Sequence, residues 1–108
     1  MGTVPIGTLV LQRPKHTGRD MFRSYKVAVG RDRAVKLKNG ATLPMELPAG
    51  PYLLQATISW CKSAIIRVEI IENEAITVTC SPNLAYRGTP TPGSQFAANY
   101  IQLTVESP

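Results

Sequence analysis

Apolar side chains recur at every second position along most of this chain, and a period of two marks strands with one buried face. Tyr25, Val27 and Val29 alternate with Ser24, Lys26 and Ala28. Tyr52, Leu54, Ala56, Ile58 and Trp60 share one phase, with Thr57 and Ser59 in the other. Ile66, Val68 and Ile70, and later Ile101, Leu103 and Val105, repeat the pattern. Read this way, strands cover 6–13, 24–30, 33–38, 41–47, 52–60, 64–71, 75–80 and 96–105. Pro14 ends the first by removing a ladder donor, and Pro44 inside the fourth predicts a sheet edge.

Turn residues punctuate these runs. Gly30-Arg31-Asp32 joins the second and third strands, and Asn39-Gly40 predicts a type I′ hairpin between the third and fourth. Pro48-Ala49-Gly50-Pro51 turns the chain into the fifth, and Glu72-Asn73-Glu74 reads as a polar hairpin returning into 75–80. The proline- and glycine-rich stretch 81–95 predicts a long irregular loop. A chain of 108 residues, 44% hydrophobic, matches one domain, 1–108, with enough apolar surface for a single core. The expected fold is all-β: an immunoglobulin-like antiparallel β-sandwich of seven or eight strands with no helix.

Little in the sequence supplies chemistry. His16, the single histidine, lies in a basic loop with Asp20 and Ser24 nearby, where nothing predicts the rigid scaffold that a Ser-His-Asp triad needs. Glu69, Glu72 and Glu74 cluster at a predicted turn, which explains them by solvation. No glycine-rich phosphate loop precedes a helix. Cys61 and Cys80 lack the paired spacing of a zinc site. The reading is a chain that is not an enzyme, with no catalytic residue, metal or cofactor.

Cys61 and Cys80 flank the strands 64–71 and 75–80, which would fold back and bring both to one end of a sheet. A disulfide closing that loop is worth ~3 kcal/mol in the chain-entropy model. Two reduced, half-buried thiols fit the same spacing. Trp60 shares the phase of Ile58 and is expected to point into the core, leaving Tyr86 and Tyr100 as freer contact residues.

Charge is the functional signal. Nine of the twelve lysines and arginines fall between Arg13 and Lys38 with only Asp20 and Asp32 among them, so this segment carries +7 and the rest −2. Such asymmetry bears on anionic partners, and the plainer reading is that these are solvated strand faces and loops. Within it, the loop RPKHTGRDMFR sets Phe22 among Arg13, Lys15, Arg19 and Arg23, the candidate binding residues. Cationic contacts with an apolar wedge suit a membrane headgroup surface or an acidic protein face. Phe22 as a core plug holding the loop down is the alternative. The aromatic ladder of a single-strand nucleic-acid binder is missing.

The segment from Ser24 to Cys80 also resembles the small bacterial PEGA-like β-sandwich domains. The likeness is carried by SYKVAVG, RDRAVKLKNG, ATLPMEL, the PAG turn and PYLLQATISW. Trp60-Cys61-Lys62-Ser63 with the later Cys80 is similar to a subgroup found in uncharacterised proteins, some with membrane segments. The chain departs from the pattern at Gly30-Arg31-Asp32, where Asp-Gly is usual, and at Pro51, where histidine is common. The resemblance covers just over half the chain, implies a sandwich fold and carries no catalytic residue.

No stretch reaches the ~18 apolar residues of a membrane span, and the first residues lack a basic, then apolar, leader. The expectation is a cytoplasmic, non-enzymatic binding module. The alternatives are a carbohydrate-binding module with an exposed aromatic platform, a structural accessory domain, and a small hydrolase or redox enzyme.

Overall fold

The computed structural model describes residues 4–15, 23–83 and 91–106. Among these, nine strands form two sheets. The first sheet has the order β4 (Thr42–Pro48), β1 (Ile6–Gln12), β8 (Ala75–Pro82), β9 (Ile101–Glu106). The second has β3 (Arg33–Leu37), β2 (Tyr25–Val29), β5 (Gly50–Ile58), with β6 (Cys61–Lys62) and β7 (Ile66–Ile70) pairing successive stretches of β5. The sheets face one another across one core. Leu9, Leu11 and Val78 contribute from the first, and Tyr25, Val27 and Leu54 from the second, all fully buried. Alternation thus assigns the faces as expected, and Pro44 lies on the edge strand β4, where no inner ladder needs its missing N–H.

The wholly antiparallel reading is corrected by β1 and β8, which run parallel from Thr8↔Ala75 to Gln12↔Thr79. The cause lies in two turns that are not hairpins. At Lys38–Ala41, Ala41 N–H donates to Lys38 C=O, and only Gly40 has positive φ, at 78°. At Ile71–Glu74, Glu74 N–H donates to Ile71 C=O, and only Asn73 has positive φ, at 63°. A positive φ confined to the third residue is the type II pattern, which splays the flanking strands instead of pairing them. Each turn therefore carries the chain from one sheet to the other: β3 pairs with β2 while β4 pairs with β1, and β7 pairs with β5 while β8 pairs with β1.

Three further differences sit around β6. Strand β5 stops at Ile58, because Ser59 and Trp60 form a two-residue hairpin loop with Ile58 paired to Cys61. Ser59 has φ 52°, the positive first position of a type II′ turn. Between the pairs Thr57↔Lys62 and Leu54↔Ile66, the β6–β7 edge holds one more residue than β5, a β-bulge centred on Ser63 to Ile65. Finally, 96–105 is not one strand. Ser94 caps a single turn, α1 (Gln95–Ala98), with its Oγ accepting from Ala97 N–H at 3.0 Å, and β9 begins only at Ile101.

Ser63 holds the bulge together. Its buried Oγ accepts from Ala56 N–H at 2.9 Å and donates to Ala64 C=O at 2.9 Å. It replaces the ladder bond that the extra residue displaces. Ser63→Ala leaves Ala56 N–H buried without that acceptor, so the expected loss is about 1–3 kcal/mol. A fall in the urea midpoint at unchanged denaturant slope checks it.

Candidate functional site

Of the expected binding residues, Arg13, Lys15 and Arg23 lie among those described, and Arg13 is turned away from the surface. Arg13 follows the inward phase of Leu9 and Leu11 and is 1% exposed. Its Nη1 donates to the carbonyls of Arg23 and of Leu37, the latter at 3.0 Å, and its guanidinium lies 3.7 Å from the Tyr25 ring centroid. Arg13 is thus an internal tie between the end of β1 and the second sheet, not a surface contact. Lys15 is exposed, and so is Arg23, whose Nη2 donates to Ser59 Oγ at 2.6 Å. Arg19 and Phe22, with His16 and Tyr86, lie outside the described residues.

Cys61 and Cys80 stand as two buried thiols, one in each sheet, with no disulfide between them. Burial pushes the Cys80 thiol up to about 12, against the opposing pull of the Arg13 charge, so the sulfur is protonated at neutral pH. Among the described residues, no group of three or more His, Cys, Asp or Glu side chains is placed to hold a metal ion.

Among the described residues, the outer face of the second sheet forms an exposed basic surface. Lys36 is paired directly with Lys26, Lys26 with Thr57, and Thr57 with Lys62. All three lysines are exposed. Alternation turns them away from the core, because Tyr25, Val27, Leu54 and Ala56 occupy the inward phase. Three strand spacings make the row about 14 Å long. Further along the face, Arg67 pairs with Leu53, an outward leucine that is 56% exposed.

The matching row on the first sheet is uncharged: Thr42, Gln12, Thr79 and Thr104. Gln12 Nε2 donates to Thr79 Oγ1 at 2.8 Å, and that hydroxyl donates to Glu106 Oε1 at 2.9 Å. The two outer faces therefore differ in charge at equivalent positions.

No family model, curated protein or solved structure matches this chain. What the chain does must be argued from its own surface.

Trp60 belongs to that surface. It was expected in the core, yet it is 56% exposed at the tip of the β5–β6 loop, beside the end of the lysine row. The expected contact residue Tyr100 is 5% exposed, its N–H donating to Lys62 C=O at 2.9 Å. Tyr25 is buried, and Tyr52 is half-buried with its hydroxyl on Pro48 C=O. Among the described tyrosines and tryptophan, Trp60 alone is prominently exposed. Lys62 could not be placed in the row from its neighbours in sequence, since only the register of β5 with β6 brings it there.

Proposed function

We propose that this chain is a non-enzymatic binding module that docks the outer face of its second sheet on an anionic membrane surface. The observation that carries this reading is the directly opposed pair Lys26 and Lys36, extended in register to Lys62. Like charges directly opposite on a sheet are destabilising, and an anionic surface relieves the repulsion. Trp60 supports a lipid surface over an acidic protein face, because an indole presented beside cations suits the headgroup region. The immunoglobulin-like and PEGA-like readings of the fold belong to the same proposal. They are supported by the two facing sheets, while the Gly30-Arg31-Asp32 turn departs from the PEGA-like pattern and the parallel β1–β8 pair from a purely antiparallel plan.

Each lysine near an anionic membrane contributes about 1 kcal/mol, so three give about 3 kcal/mol, on the order of a hundredfold in partitioning. Flotation with anionic and neutral vesicles at low and moderate salt tests this. The wild-type chain is expected to float with anionic vesicles only, less at higher salt, with a blue shift of Trp60 emission. Lys26→Glu with Lys62→Glu is expected to abolish flotation while leaving the fold intact. Absence of flotation in every condition, or flotation indifferent to charge reversal, sinks the membrane reading.

A further inference from the structure

Away from the lysine row, the sandwich opens where the first sheet extends past the second. Val105 on β9 lies in the inward phase, opposite Val78, yet is 43% exposed. With Ile71, Ala75 and Ile76 it floors a groove of about 170 Å³. Glu69 on β7, Glu74 in the turn and Glu106 on β9 complete its lining. Ile71, in the crossing turn, is 50% exposed.

Three features together restrict what fits. The volume is below the roughly 300–1,000 Å³ of pockets that enclose small-molecule ligands, and suits one large apolar side chain. Glu69 on β7 and Glu74 in the turn stand beside the apolar floor, while the Glu106 carboxylate accepts from Thr79 on the outer face, so the groups flanking that side chain are cationic. Among the described residues, β9 beyond Ile101 pairs only with β8, and β7 only with β5, so both edges bordering the groove offer backbone donors and acceptors.

We infer that this groove docks an extended segment of a partner protein, in which one leucine-sized anchor is flanked by lysine or arginine two residues to either side. That spacing puts the anchor and both cations on the same face of a strand. Strand addition at the open edge supplies the backbone contacts, and the pocket with its carboxylates supplies the selection. The inference stands apart from the basic face.

The test uses the full chain and a capped Lys-Thr-Leu-Thr-Lys peptide, followed through the backbone amides by NMR. The expected result is saturable shifts at Ile71, Ala75, Ile76 and Val105 without change at Lys26 and Lys36. Replacing the peptide's leucine by serine, or its lysines by glutamates, is expected to remove them. Glu69→Gln with Glu74→Gln, both exposed and so compatible with folding, is expected to weaken binding about tenfold. No shifts at millimolar peptide, shifts indifferent to the peptide's charge and anchor, or shifts centred on the lysine row overturn the inference.

Discussion

Gly7→Val is expected to unfold this domain or to destabilise it by more than about 3 kcal/mol, although glycine in a strand is ordinarily replaced with profit. Gly7 sits in β1, between β4 and β8, where the chain passes beneath the end of β7. A Cβ at this position would collide with the carbonyl oxygen of Ile71 and lie 2.7 Å from Ile70 Cγ2. Neither strand can move aside cheaply. Asn73 N–H donates to Ile6 C=O at 3.0 Å and Thr8 N–H to Glu74 C=O at 2.9 Å, strapping the crossing turn to β1 on both sides of the glycine. Even Gly7→Ala is expected to cost about 1–3 kcal/mol, reversing the usual gain of about 0.5–1 kcal/mol. Adding Ile70→Ala removes the methyl contact but not the backbone one. A double-mutant cycle by urea unfolding is therefore expected to show partial rescue only. Full rescue, or a neutral Gly7→Ala, contradicts the close approach.

Arg13→Ala is expected to lower stability by about 3 kcal/mol, through lost charge-assisted bonds to two carbonyls and lost stacking on Tyr25. In a domain of this size that corresponds to a fall in Tm of roughly 12–24 °C. Arg13→Lys is expected to recover only part of it, since an ammonium cannot stack its plane on the ring while reaching both carbonyls. Lys26→Ala is the contrasting control. It removes one member of an opposed like-charged pair, so it is expected to be neutral or slightly stabilising while weakening vesicle binding. If Arg13→Ala instead leaves Tm unchanged and weakens vesicle binding, Arg13 is a surface residue after all. Differential scanning calorimetry beside flotation separates the two roles.

Parts of this were legible in advance. Alternation placed Leu9, Leu11, Val27 and Leu54 inward and Lys26 and Lys36 outward, because the side-chain period of a strand is a local property. The same alternation carries Arg13 inward with Leu9 and Leu11, a signal outweighed in the sequence reading by the habit of arginine to sit in solvent. Trp60 was misplaced because no Gly, Pro or Asn marks the turn at Ser59, which takes its positive φ with an ordinary side chain. The candidate site was only half visible: two of its three lysines lie in the basic segment, whereas Lys62 and Trp60 come from elsewhere in the chain.

By itself, then, the sequence determined the all-β class, the inward and outward faces of most strands, the turn at Gly30 and the edge position of Pro44. These follow from φ restriction, missing donors and a period of two, which act within a few residues. Tertiary structure alone decided which strands share a sheet. Asn39-Gly40 and Glu72-Asn73-Glu74 read as hairpins until the hand of each turn directs the chain across the sandwich. The parallel β1–β8 pair, the alignment of Lys62 with Lys26 and the acidic opening beside β9 all depend on that choice. Pairing between distant strands is set by long-range packing and turn geometry together, and no local pattern encodes it.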